Sequence, residues 1–221
     1  MISSVCFFVG VLGTIALSFM FLSFSGIDKE LRDGLRSTNY SFDLPVYHEE
    51  STSQIDRVVI QVEEGPLTIE TSEQEGVQVF GTYQSDSEEI RLEKPEDYLF
   101  SYVDGNVLYL TFKALPKKNG WYSYQMRMNP TFIIPKDVNL EVRAKNYGTV
   151  TLYPRDLAAN WTVLAGYVEA YVEEESDYTL AASKIITRDN GEERLETKTT
   201  GEGTYAVYVT ATDDVAIYNM P

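Results

Sequence analysis

The chain has 221 residues, with 34 Asp or Glu against 18 Lys or Arg and a formal net charge of −16. That acidity repels phosphate, and the basic residues Lys117, Lys118 and Lys136 are too few to form a track, so nucleic acid is excluded as a partner. The lone cysteine, Cys6, leaves no disulfide and no thiolate metal site, and the lone histidine, His48, would have to serve any Ser-His-Asp triad.

In chain order, the first feature is residues 1–27, which carry no charged side chain. Within them residues 5–24, VCFFVGVLGTIALSFMFLSF, reach the roughly 20 apolar residues that a helix needs to cross a bilayer. Thr14 and Ser18 can bond back to helix carbonyls, and Gly10 and Gly13 are tolerated where lipid offers the backbone no other partner. The segment is therefore predicted as a single-pass transmembrane signal anchor. Cleavage after Ser25 and secretion is the alternative, since Ser23 and Ser25 are the small residues a peptidase prefers. Lys29, Arg32 and Arg36 follow the helix and none precedes it, which read literally puts the domain in the cytoplasm. The β-rich, cysteine-free character of the domain favours the outside, as in an exported bacterial module.

Residues 28–54 mix charge, Gly, Pro and a Ser/Thr cluster without periodicity, and read as a juxtamembrane tether. From Ile55 the pattern alternates with period two, the sign of half-buried strands. Val58, Ile60 and Val62 share one face; after a turn at Glu64-Gly65-Pro66, Leu67 and Ile69 do the same, and residues 77–80 follow. The strand–turn–strand unit returns over residues 140–153 (turn at Asn146-Tyr147-Gly148), 161–172 (turn near Gly166), 178–188 (turn near Ser183-Lys184) and 205–218 (turn at Asp213-Asp214). The first three recur at roughly 17–21 residues, and paired strands at a short period cannot bury their apolar faces without stacking on neighbours. The predicted fold is all-β, a β-solenoid or β-helix-like repeat domain over residues 55–221, with an antiparallel β-sandwich as the runner-up. Residues 83–130 interrupt the rhythm. There residues 107–112 and 121–128 are predicted to form an inserted β-hairpin around Asn119-Gly120.

The segments VVIQVEEGPLTIET, FIIPKDVNLEVRAKNYGTVTLY and GEGTYAVYVTATDDVAIY together resemble the bacterial "putative adhesin" family of β-strand-repeat domains, over roughly residues 55–220. The resemblance implies an extracytoplasmic solenoid-like domain behind a membrane segment. It carries no catalytic motif onto this chain. The segment 83–130 and the stretch DNGEERLETKTT depart from a plain repeat array.

His48 lies in the predicted tether beside Glu49 and Glu50, which argues against a triad. Three acidic groups could offer oxygen ligands to a hard cation: Glu173-Glu174-Glu175 with Asp177, Asp86 with Glu88-Glu89, and Asp213-Asp214. None matches an EF-hand or a calcium-binding repeat, so no metal and no cofactor is expected, and paired carboxylates for glycoside hydrolysis cannot be singled out. The aromatic run after Asn119-Gly120 is the expected binding feature. Trp121, Tyr122 and Tyr124 at a hairpin tip can stack on an envelope polysaccharide or anchor a protein. The function expected is a membrane-anchored, non-enzymatic, adhesin-like or envelope-sensing module. The alternatives are a carbohydrate-active enzyme using paired carboxylates and an oligomerising spacer.

Overall fold

Period-two alternation becomes strand wherever the chain is described. The computed structural model describes residues 40–50, 54–63, 65–85, 91–113, 127–144, 148–173, 177–184, 194–199 and 202–220. The expected anchor at residues 1–27 lies outside them, and among the described residues no helix is long and apolar enough to cross a membrane.

The strands are β1 (Tyr40–Asp43), β2 (Tyr47–Glu49), β3 (Arg57–Val62), β4 (Leu67–Ser72), β5 (Val77–Ser85), β6 (Leu99–Asp104) and β7 (Val107–Phe112). They continue with β8 (Arg127–Pro135), β9 (Asn139–Ala144), β10 (Thr149–Tyr153), β11 (Trp161–Glu173), β12 (Tyr178–Lys184), β13 (Arg194–Thr199) and β14 (Tyr205–Met220). All belong to one 14-stranded sheet, which curls about a single apolar core.

The pairing is parallel through the middle and antiparallel only at the margins. β7, β3, β9, the first half of β11, the first half of β14 and β12 run parallel in that order. A second parallel series takes β8, β4, β10 and the second halves of β11 and β14. This corrects the antiparallel sandwich. Alternation gives each strand one buried face but says nothing of the direction of its neighbour. In-register parallel pairing turns the inward residues into rows. One is Leu108, Val58, Leu140, Trp161, Val207 and Leu180, all buried. Another is Phe132, Ile69, Leu152 and Ala170, all buried, ending at the partly buried Ile217.

Two expected turns are not turns. β11 runs through Gly166 and β14 through Asp213-Asp214. At Gly166 the inward set of β11 changes parity, from Trp161, Val163 and Ala165 to Val168, Ala170 and Val172. The register there slips, so that Gly166 faces the two residues Thr212 and Asp213 of β14, a bulge. The Gly148 carbonyl accepts from both Gly166 N (3.1 Å) and Tyr167 N (3.2 Å), which holds the bend without breaking the strand.

The margins bring three further corrections. The tether expected over 28–54 contributes strands from Tyr40 onward: β1 and β2 both pair with β5, and Leu44 between them is buried. The hairpin expected between residues 107–112 and 121–128 is not formed by β7 and β8. The partners of β7 are β6 and β3, and those of β8 are β5 and β4. The unit expected over 178–188 is instead a hairpin of β12 with β13, so the DNGEERLETKTT stretch supplies a strand.

Candidate binding surface

The outward positions of the second parallel series form rows by the same register that builds the core. β10, β11 and β14 each end a short motif, Val150-Thr-Leu-Tyr153, Val168-Glu-Ala-Tyr171 and Val215-Ala-Ile-Tyr218, with tyrosine in the same place. Each valine points in, so the tyrosine three positions later points out. Tyr153 stacks on Tyr171 with centroids 4.8 Å apart and planes at 15°, and Tyr171 stacks on Tyr218 at 4.9 Å and 23°. These separations match the ~4.8 Å strand spacing, so the backbone ladder itself sets the ring pitch. Glu70 of β4 occupies the next position beyond Tyr153.

Stacking fixes what this row can offer. The inner ring faces are consumed by neighbours, leaving ring edges, hydroxyls and the outer face of Tyr218, which is 43% exposed. Tyr167, four residues earlier on the same face of β11, is hydrogen-bonded through its hydroxyl to Tyr218. Burial, and then the nearby Glu169, push the Tyr171 hydroxyl above its ordinary value; burial, and then Tyr218 and Glu169, do the same for Tyr167. Both are therefore neutral donors at any physiological pH. Arg155 closes one margin: its Nε lies 3.3 Å from Glu173 Oε1, and its guanidinium carbon lies 5.9 Å from the Tyr153 ring. Thr71 Oγ1 fixes that corner by donating to the Arg155 carbonyl at 2.5 Å.

The residues singled out in the sequence fall elsewhere. Trp121, Tyr122 and Tyr124 lie outside the described residues. His48 is on β2, with Nε2 3.8 Å from Glu50 Oε1, and so belongs to a strand rather than a tether. Among the acidic candidates, Glu174, Glu175, Asp86, Glu88 and Glu89 lie outside the described residues. Glu173 is paired with Arg155. Asp177 accepts from Thr204 Oγ1 at 2.7 Å and Thr204 N at 3.3 Å, bonds that hold its carboxyl below the usual range. Among the described residues no three His, Cys, Asp or Glu side chains gather as a metal site. The tyrosine row escaped the sequence reading, although the thrice-repeated Val-x-x-Tyr was a signal that could have found it.

No protein-family model matches the chain, and no curated protein matches it. Among solved structures it is similar to a "putative cell adhesion protein" from Clostridium sporogenes ATCC 15579, with 10% identity, 83% of this chain and 100% of that chain covered, and a TM-score of 0.45. It is also similar to a "putative adhesin" from Bacteroides fragilis NCTC 9343, with 12% identity, 83% and 97% coverage, and a TM-score of 0.21. At these TM-scores neither likeness bears on ligand, activity or fold.

Proposed function

We propose that the chain is a non-enzymatic, adhesin-like binding module, held at the outer side of a bacterial membrane by residues 1–27, whose β-domain is a two-faced solenoid. The solenoid reading is supported by the coil-like succession β3–β4, β9–β10 and the two halves of β11 and β14, each stacked in parallel register on the next. The binding reading rests on the tyrosine row. Three rings stacked at ladder pitch, with their edges and hydroxyls outward, form a pre-ordered surface for hydrogen-bonding a repetitive envelope polymer or a protein strand. Trp121, Tyr122 and Tyr124 are proposed as a second aromatic contact.

The test is binding of the full chain to purified envelope polysaccharide and to envelope protein fractions, compared with Tyr171→Ala and Trp121→Ala. Tyr171→Ala removes the central ring and should weaken binding at least tenfold while leaving the far-UV circular dichroism unchanged. Undiminished binding by both variants would refute the aromatic surface. Protease added to intact cells should degrade the domain, and full protection would refute the extracytoplasmic placement.

A further inference from the structure

Large apolar side chains left in water are unevenly distributed over this domain. Among the described residues eight are exposed, and five of them (Val46, Phe80, Phe100, Tyr102 and Val103) lie on the strands and connection that close one end of the sheet. β1 and β2 are the outermost strands of one parallel series and β6 is the outermost of the other; these margins are the two ends of the strand order, and the curl of the sheet brings them together. The two margins are tied to each other: the Tyr98 hydroxyl donates to Pro45 O at 2.7 Å, and the Tyr47 hydroxyl is hydrogen-bonded to Ser101.

β6 is unusual for an outermost strand. Edges of this kind are normally guarded by Lys, Pro or a bulge. From Leu99 to Val103 there is no charge and no proline, and the β6–β7 register is unbroken. Val46 is 62% exposed and Phe100 51%. Tyr102 is anchored by stacking on Tyr109 at 4.7 Å, which presents a rigid amphipathic ring at the surface.

The chain joins this same end. Tyr40 opens β1, and residues 28–39 separate it from the uncharged residues 1–27. Those intervening residues span at most ~40 Å even when fully extended. Resting on the membrane-tether reading above, we propose that this end of the sheet docks on the lipid surface, with Val46, Phe100 and Val103 entering the interface and Tyr102 at the headgroup level. Tyrosine suits that depth because one end of the ring is apolar and the other wet. The net acidity of the chain makes the contact an apolar one, suited to zwitterionic lipid rather than dependent on anionic headgroups. The sheet then projects away from the bilayer and carries Tyr218, on β14 at the other end of the series, outward.

The experiment uses the full chain with Cys6→Ser and one introduced cysteine at a time, Val46→Cys, Val103→Cys or Tyr208→Cys. Each variant is labelled with an environment-sensitive fluorophore and reconstituted in phosphatidylcholine vesicles with or without spin-labelled lipid. The labels at 46 and 103 should be quenched at least threefold more than the label at 208 on β14. Adding Phe100→Asn should at least halve the quenching at 46. Equal quenching at all three positions in protein that floats with the vesicles would overturn docking and leave the tether standing. Protein that does not float would overturn both. Protection at 46 and 103 that persists in detergent and rises with protein concentration would assign this end to a second copy, and would also overturn the proposal.

Discussion

Gly81→Ala is the substitution whose cost the geometry defines best. Gly81 sits within β5 at φ +143°, a region open essentially to glycine alone, and pairs across the ladder with Pro130 of β8. Proline offers no N–H there, and the two backbones close the gap by approaching each other. A Cβ at 81 would overlap the Asn129 carbonyl oxygen and stand 3.0 Å from Pro130 Cα and 3.2 Å from Asn129 C. All three are backbone atoms, so no rotamer change relieves the crowding. The conformational term costs about 1–3 kcal/mol, and the overpacking adds about 1–3 kcal/mol. The Gly81 carbonyl also accepts from Leu44 N at 2.8 Å, so a shift of β5 would loosen the join between β1 and β2. Gly105→Ala is the control: Gly105 opens the β6–β7 turn at φ +61°, and a Cβ there would meet nothing within 4 Å. It should cost only the conformational term, about 1–2 kcal/mol. Urea unfolding followed by circular dichroism separates the two if the m-values are unchanged. Equal destabilisation by the two variants, within about 0.5 kcal/mol, would refute the close-approach argument.

Trp161 fills the centre of an inward row and donates from Nε1 to Val138 O at 3.3 Å, so Trp161→Ala should cost about 3–5 kcal/mol in thermal or urea unfolding. Thr162→Ala, on the outward face beside it, should stay within about 0.5 kcal/mol of wild type. Tyr98→Phe removes the bond to Pro45 O and should cost about 1–2 kcal/mol. Burial, reinforced by Glu96, pushes the Tyr98 hydroxyl up to about 12, so native protein favours its protonated form. That contribution is complete below the ordinary tyrosine value near ~10 and disappears as pH rises through the raised value; an alkaline unfolding series should show a limb that Tyr98→Phe lacks. Asp177 has the opposite sign. Its lowered pKa adds stability above the ordinary carboxylate value of ~3.9, and that stability falls away as pH drops through the lowered one. Asp177→Asn should therefore flatten the acid limb of stability, and an unchanged limb would show that the Thr204 bonds contribute nothing.

Much of the core was legible locally. Val58 with Ile60, Leu67 with Ile69, Leu140 with Val142 and Val77 with Val79 alternate in sequence and are buried in the fold. The strands of the supposed tether were harder to see, because Tyr40, Phe42, Leu44 and Tyr47 are spread among Asp, Pro, His and Ser in a stretch too short to establish a period. Gly166 and Asp213 signalled turns by residue type. The long ladder between β11 and β14 continues past both positions, and tertiary pairing absorbs the two signals into one bulge. Asn119-Gly120 drew residues 107–112 and 121–128 into one predicted hairpin. The register instead gives β7 to β3 and β8 to β4, because the inward rows of those strands match.

The sequence by itself determined the acidic balance, the uncharged first 27 residues, the all-β composition and the inward face of most strands. Each of these follows from residue type or from a period of two within a few positions. Only the tertiary structure decided that neighbouring strands run parallel, that both series end together beneath an apolar margin, and that Tyr153, Tyr171 and Tyr218 stand in one stack. The physical reason is that alternation orients a side chain relative to its own backbone. A surface made of several strands exists only once the ladder hydrogen bonds fix which residue lies beside which.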